Sequence, residues 1–230
     1  MSYELLEQAA VDLGPLLDKV AFLGGASLVL WVSDEAAAPI RVTQDVDVIV
    51  EIGSTVQYYK LGEELRAQGF EEDPERRVTC AWRHRESELK LDVMPTDPAV
   101  LGFSNEWYGP AFAAAQERRL PSEAAIRAVT PPHLLATKIA AFRGRGRGDY
   151  LASRDFGDVI VLVDGRPEVV DEVRAAPSEL RRYLSAQLGD MKSDLFFTSG
   201  VAGALLPDRA SQARAPLVYE RLDAIVAAAA

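Results

Sequence analysis

Cysteine is nearly missing from this chain. Cys80 is the only one in 230 residues, so no intrachain disulfide can form and a reducing compartment fits. Histidine is almost as scarce. His84 and His133 form no Cys/His cluster, and no zinc site is expected. No apolar run reaches the length of a membrane-spanning helix. The first turns carry Glu4, Glu7 and Asp12 in place of a basic and then apolar leader. The expectation is a cytoplasmic protein with no membrane partner. Positive charge is also short: 25 Lys and Arg stand against 35 Asp and Glu, a formal net charge of -10. That argues against a broad polyanion footprint and leaves room only for a local basic cleft. No internal repeat is visible.

What is present suffices for a substantial core: 48% of the residues are hydrophobic and 26% charged. The length allows one large domain or two modest ones. Apolar spacing predicts a helix over residues 2–18, broken or restarted at Gly14-Pro15. Val20 to Leu23 is a short apolar approach to Gly24-Gly25, and Ala26 to Val32 reads as a buried helix. Val46 to Ile52 reads as a central strand and Ser54 to Gln68 as an amphipathic helix with Val56, Tyr59, Leu61 and Leu65 among its apolar members. Arg77 to His84 and Glu88 to Pro95 predict an antiparallel hairpin beside the central strand. Leu101 to Pro110, with Phe103, Trp107 and Tyr108, reads as a cleft wall or a surface loop. From Thr130-Pro131-Pro132 onward the pattern turns helical. Phe196-Phe197 and Val201 to Leu206 are expected in the core. A boundary near residue 128 divides a mixed α/β part, 1–128, from a mostly helical part, 129–230.

Two stretches carry chemistry. In the first, Gly24 and Gly25 can adopt backbone angles closed to other residues and let a phosphate approach the main chain. About twenty residues on comes Thr43-Gln44-Asp45-Val46-Asp47. Side chains two apart on a strand point the same way, so Asp45 and Asp47 share a face. Side-by-side carboxylates repel unless a cation or proton lies between them. Mg²⁺ is the expected ion, since it takes carboxylate and phosphate oxygens. Asp92, on the second strand of the hairpin, is the third candidate acid.

The second stretch runs from Lys138 through the Arg-Gly alternation Arg143-Gly144-Arg145-Gly146-Arg147-Gly148 to Arg154-Asp155-Phe156-Gly157-Asp158. Lys138 is suited to hold a triphosphate as a compact point charge. Asp155 and Asp158, three apart, would share one helix face. Asp155 is expected to pair with Lys138 or Arg154, and Asp158 with Arg143 or Arg147. The apolar run Val159 to Val163 is expected to be a buried helix.

Gly24-Gly25, Asp45-x-Asp47 and Asp92 resemble the minimal nucleotidyltransferase fold of the DNA polymerase beta superfamily. Lys138 with Arg154-Asp155-x-x-Asp158 is similar to its AbiEii toxin branch, which includes the MenT-type toxins. The resemblance covers roughly residues 15–165 and implies an α/β (α+β) fold: a mixed twisted sheet flanked by helices, then a helical C-terminal part. It implies transfer of a nucleoside monophosphate from an NTP to a hydroxyl, with release of pyrophosphate. Asp45 and Asp47, with Asp92, would bind Mg²⁺ or Mn²⁺. Asp92 would take the acceptor's proton. Gly24, Gly25, Ser27, Thr43, Lys138 and Arg154 would face the nucleotide, and the toxin branch adds weight to Asp45, Lys138 and Asp155. Thr43 matches a Ser or Thr that a kinase-like antitoxin phosphorylates in relatives, where the added charge competes with nucleotide phosphates. The superfamily has Ser directly after Gly-Gly, whereas here Ala26 precedes Ser27. The acceptor implied is tRNA, with a protein hydroxyl or a small molecule of the aminoglycoside kind as alternatives, and a degenerate, non-catalytic nucleotide-binding protein as a further one. A monomer with a cognate antitoxin is expected.

Overall fold

The computed structural model describes residues 3–76, 78–102, 105–146 and 148–228. The chain forms two compact units, Met1–Leu30 with Arg41–Thr130, and Trp31–Ile40 with Pro131–Ala230.

The first unit opens with α1 (Glu4–Leu13), whose Leu6, Ala9, Ala10 and Leu13 are buried at helical spacing. A 3₁₀ turn over Gly14–Lys19 begins with Pro15 in its first positions, as the Gly-Pro break predicts. Strand β1 (Val20–Leu23) is buried along its whole length. The residues after the double glycine are buried as expected, but form a 3₁₀ turn, Ala26–Leu30, rather than a longer α-helix. The Leu28 amide donates to the Gly25 carbonyl, three residues back, which is the 3₁₀ pattern. Then come β2 (Asp45–Val50), α2 (Thr55–Ala67), β3 (Phe70–Glu72), β4 (Ala81–His84), β5 (Lys90–Pro95), α3 (Pro98–Leu101), α4 (Tyr108–Ala113), β6 (Gln116–Arg119) and β7 (Ala125–Ala128).

Ser54 caps α2 by accepting a hydrogen bond from the Gln57 amide at 3.3 Å. Gly69, at φ +95°, follows its end. The helical period puts Tyr58, Leu61 and Leu65 inward. It leaves Val56 and Tyr59 outside, 65% and 69% exposed, so these two apolar residues are not core.

The strands form one seven-stranded mixed sheet in the order β3-β4-β5-β2-β1-β7-β6. Strand β2 is its centre, antiparallel to β1 and parallel to β5. The β4–β5 pair is the expected antiparallel hairpin. Its first strand starts at Ala81, after a turn at Thr79-Cys80; Arg77 lies outside the described residues, as does Phe103 of the aromatic segment, in which Trp107 is buried. Four of the six β2 side chains, Val46, Val48, Ile49 and Val50, are buried. The two that are not fully buried are Asp45 and Asp47. Burying an aliphatic side chain of this size stabilises by roughly 1.5–3 kcal/mol, so register slip in β2 is heavily penalised and the two acids are fixed on one face.

The second unit is helical throughout its regular structure: α5 (Pro131–Arg143), α6 (Arg154–Gly165), α7 (Val169–Ala175), α8 (Ser178–Lys192), α9 (Phe197–Ala204), α10 (Arg209–Gln212) and α11 (Ala215–Ala227). The run Val159 to Val163 is buried inside α6, as expected. A cluster of Phe142, Tyr150, Phe156 and Phe197, with centroids 4.9–5.9 Å apart, ties α5, α6 and α9 together; each such pair adds about 0.5–1.5 kcal/mol beyond burial. Phe196 and Leu206, expected in the core, are 63% and 43% exposed. Phe196 stands just before the first turn of α9, and its neighbour Phe197 takes the inward position. Residues 31–40 are held in this unit by Ser33 and Asp34 amides donating to the Gly165 carbonyl at 2.9 and 3.1 Å, and by Arg214, which donates to Asp34 and Asp164, both at 2.7 Å.

Candidate active site

In the first unit the glycine turn and the carboxylates meet at one point. Leu23 is the register partner of Asp47 across the antiparallel β1–β2 pair, which sets Gly24 beside the Asp47 side chain. A Cβ on Gly24 would stand 1.8 Å from Asp47 Oδ2, and its φ of +77° is a glycine conformation. Ser27 is wholly buried and donates to the Gly24 carbonyl at 2.9 Å, closing the turn. Gly25 is buried beside it. Thr43 donates its hydroxyl proton to Asp45 Oδ1 at 2.7 Å.

Asp92 is in register with Asp47 across the parallel β2–β5 pair. Partners at one register position project to the same side of a sheet, so Asp45, Asp47 and Asp92 share a face. Asp92 is also the most enclosed of the site's acids, at 6% exposure. Its two oxygens accept a guanidinium fork: Arg76 Nη1 donates to Oδ1 at 2.6 Å and Nη2 to Oδ2 at 2.8 Å. The same Nη1 lies 4.0 Å from Asp45 Oδ2. Among the described residues no three His, Cys, Asp or Glu side chains are grouped closely enough to hold a metal ion. Burial, and then the Asp92 anion, push the neighbouring Cys80 thiol up to about 11.

Arg76 is the functional candidate that the pattern of acids does not reveal. A signal for it exists: a carboxylate in the middle of a buried strand needs a cation. The acidic stretch Glu71-Glu72-Asp73-Pro74-Glu75, from the end of β3 into the following loop, gives way to Arg76 just before the strand that pairs with β5.

The second unit holds the other constellation. Lys138, on α5, places Nζ 3.1 Å from Asp155 Oδ1 and 2.6 Å from Asp158 Oδ2. The three side chains are 8%, 9% and 1% exposed. Both acids therefore do share a face of α6, and both turn to Lys138. Ser153 caps α6 and accepts from the Phe156 amide; Asp155 in the first turn also complements the helix dipole. Arg145 completes the set, donating from Nε to Asp155 Oδ2 at 3.0 Å and from Nη2 to Oδ1 at 3.1 Å. Burial pushes the Asp155 carboxyl up, but the Arg145 hydrogen bond and the charges of Lys138 and Arg145 outweigh it, and the net direction is down.

Of the partners expected for Asp155, Lys138 is the one found; Arg154 begins α6 on its exposed side, and Arg145 is an added partner. The pairing expected for Asp158 is corrected. Asp158 pairs with Lys138 rather than Arg143, because Arg143 leaves the end of α5 toward Gln187, 3.1 Å away, and Asp190. Arg147 lies outside the described residues.

The glycine turn thus stands against a strand that carries two carboxylates. The model of the family described as nucleotidyl transferase AbiEii toxin, Type IV TA system, matches residues 5–229, and the chain belongs to that family. It is thus a nucleotidyltransferase of the toxin half of a toxin–antitoxin system. No curated protein matches it. Among solved structures it is similar to JHP933 from Helicobacter pylori, at 14% identity and a TM-score of 0.45, over 99% of this chain and 88% of that one. A candidate nucleotidyltransferase from H. pylori is similar at 12% identity and a TM-score of 0.45, over 99% and 91% of the two chains. No described helix is long and apolar enough to cross a membrane.

Proposed function

We propose that this chain transfers a nucleoside monophosphate from an NTP to the 3′ end of tRNA. The acceptor oxygen forms a bond to the α-phosphorus, the bond between the α- and β-phosphates breaks, pyrophosphate leaves, and the acceptor's proton passes to a carboxylate or to water. The observation that carries this is the abutment of Gly24 on Asp47, with Asp45 alongside on β2.

The donor set fits Mg²⁺: Asp45 and Asp47 offer hard carboxylate oxygens at a half-open position, and Mn²⁺ accepts the same set. Bound there, the ion would neutralise phosphate charge and polarise the reacting phosphate. The chain's own residues do the rest. Gly24 and Gly25, buried in the turn against Asp47, are proposed as main-chain contacts for phosphate oxygens. Thr43 orients Asp45. Asp92 is the proposed proton acceptor. Lys138 and Asp155 are proposed as the second functional group, and Arg154 as a nucleotide or acceptor contact.

The tRNA assignment rests on the likeness to the toxin branch, with Arg143, Arg145 and Arg154 as mild support, since phosphate contacts position a nucleic acid. The net charge of -10 favours, as a second reading, a small-molecule or protein hydroxyl. A kinase-like antitoxin acting on Thr43 is the proposed partner; a phosphate there would stand against Asp45 and exclude nucleotide. A cytoplasmic monomer is the proposed form.

The test is incubation with Mg²⁺, each labelled NTP in turn and total tRNA, beside an Asp45→Ala variant. Label on tRNA that disappears in the variant supports the proposal. Label on another acceptor removes the tRNA part, and no Asp45-dependent label on any acceptor overturns the whole.

A further inference from the structure

Three acids on one sheet face need positive charge even when no substrate is present. Asp47 and Asp92 are register partners on adjacent strands, about 4.8 Å apart by strand spacing, and Asp92 is too enclosed for water to compensate it. The compensation comes from Arg76, whose fork occupies both Asp92 oxygens. Its Nη1 also faces Asp45. Planar bidentate pairing of this kind is the strong form of a carboxylate contact.

We infer that Arg76 is an internal counter-cation of the catalytic carboxylates, and that it and the divalent ion compete for Asp92. This rests on the metal role proposed above for Asp45 and Asp47. An ion coordinating Asp92 must come within about 2.1 Å of an oxygen; each oxygen already gives one of its two lone pairs to an N–H donor, and the guanidinium covers that edge of the carboxylate. Bringing a second cation against the guanidinium adds repulsion. Arg76 has a way out: its side chain is 33% exposed and belongs to the loop between β3 and β4, so it can turn to water. The free enzyme thus holds its third acid in reserve. Asp92 becomes a ligand or base only once Arg76 withdraws.

Mn²⁺ alone, titrated calorimetrically into the full chain, is the probe. Arg76→Gln should bind Mn²⁺ about tenfold more tightly than the wild type, the scale of one charge-assisted hydrogen bond. Arg76→Lys keeps the charge but not the fork and should fall between them. In an Asp92→Asn background the gain from Arg76→Gln should shrink to the smaller part that comes from Nη1 beside Asp45. An unchanged or weaker affinity in Arg76→Gln overturns the inference. So does an equal gain in the Asp92→Asn background, which would reduce Arg76 to a distant charge. If Mn²⁺ binding to the wild type and to Arg76→Gln is equally insensitive to Asp45→Ala, the metal role of Asp45 falls and the inference with it. Circular dichroism of each variant establishes that the fold is intact.

Discussion

The Asp47 carboxylate fills the space that a side chain at residue 24 would need: a Cβ there would stand 1.8 Å from its Oδ2. Gly24 is required twice over, for this approach and for its φ of +77°. Gly24→Ala is expected to cost roughly 1–3 kcal/mol in urea unfolding from backbone strain alone. It should abolish nucleotidyl transfer even where the variant remains folded, because Asp47 must move. Retained activity in a folded Gly24→Ala protein would show that Asp47 is not needed where it stands.

Much of this arrangement was legible because strand period and turn chemistry are local. The alternation around Asp45 and Asp47, the cap at Ser54 and the Pro-Pro start of α5 each follow from neighbours in the chain. The shared face of Asp155 and Asp158 follows from helical spacing. What was not legible depends on distant partners. Nothing in Trp31 to Ile40 says that it packs with the helices; Arg214, far along the chain, decides that through Asp34. Arg76 and Arg145 lie in loops, and only the fold shows which acid each one serves. Val56 and Tyr59 look like core by type and are exposed by phase.

Lys138 and Arg145 both meet Asp155, but from different environments. The Lys138 side chain is 8% exposed and that of Arg145 is 69% exposed. Lys138→Met strips the nearly inaccessible Asp158 of the ammonium 2.6 Å away, and breaking such a buried pair should cost about 3–5 kcal/mol. Arg145→Ala removes a solvent-screened partner and should cost no more than about 1 kcal/mol. Denaturant unfolding of the two variants checks the ranking; equal losses would contradict it.

Acid should weaken the second unit through Asp155. Its folded pKa lies below the ordinary value of 3.8, so the unfolded chain binds more protons than the native one as pH falls. The associated stability is at full strength above the ordinary value and is lost as pH drops through the lower folded value. Asp155→Asn should therefore be less stable than the wild type at neutral pH, and the difference should shrink below about pH 4. Urea unfolding of both proteins across that range measures it. A gap that widened on acidification would mean that the carboxylate is not stabilised by its cations.

Cys80 offers a chemical report on the ground beside Asp92. With its thiol pushed up to about 11, only about one molecule in a thousand carries the reactive thiolate at pH 8. Burial is the largest cause and the Asp92 anion the next. Iodoacetamide at pH 8 should therefore leave the native chain unmodified by mass spectrometry and label it fully in denaturant. Asp92→Asn removes the smaller cause and keeps the larger, so it should speed native labelling only modestly. Rapid labelling in that variant would show that the strand pair β4–β5 opens when the Arg76 fork is lost, and that the fork holds the sheet together as well as the acid.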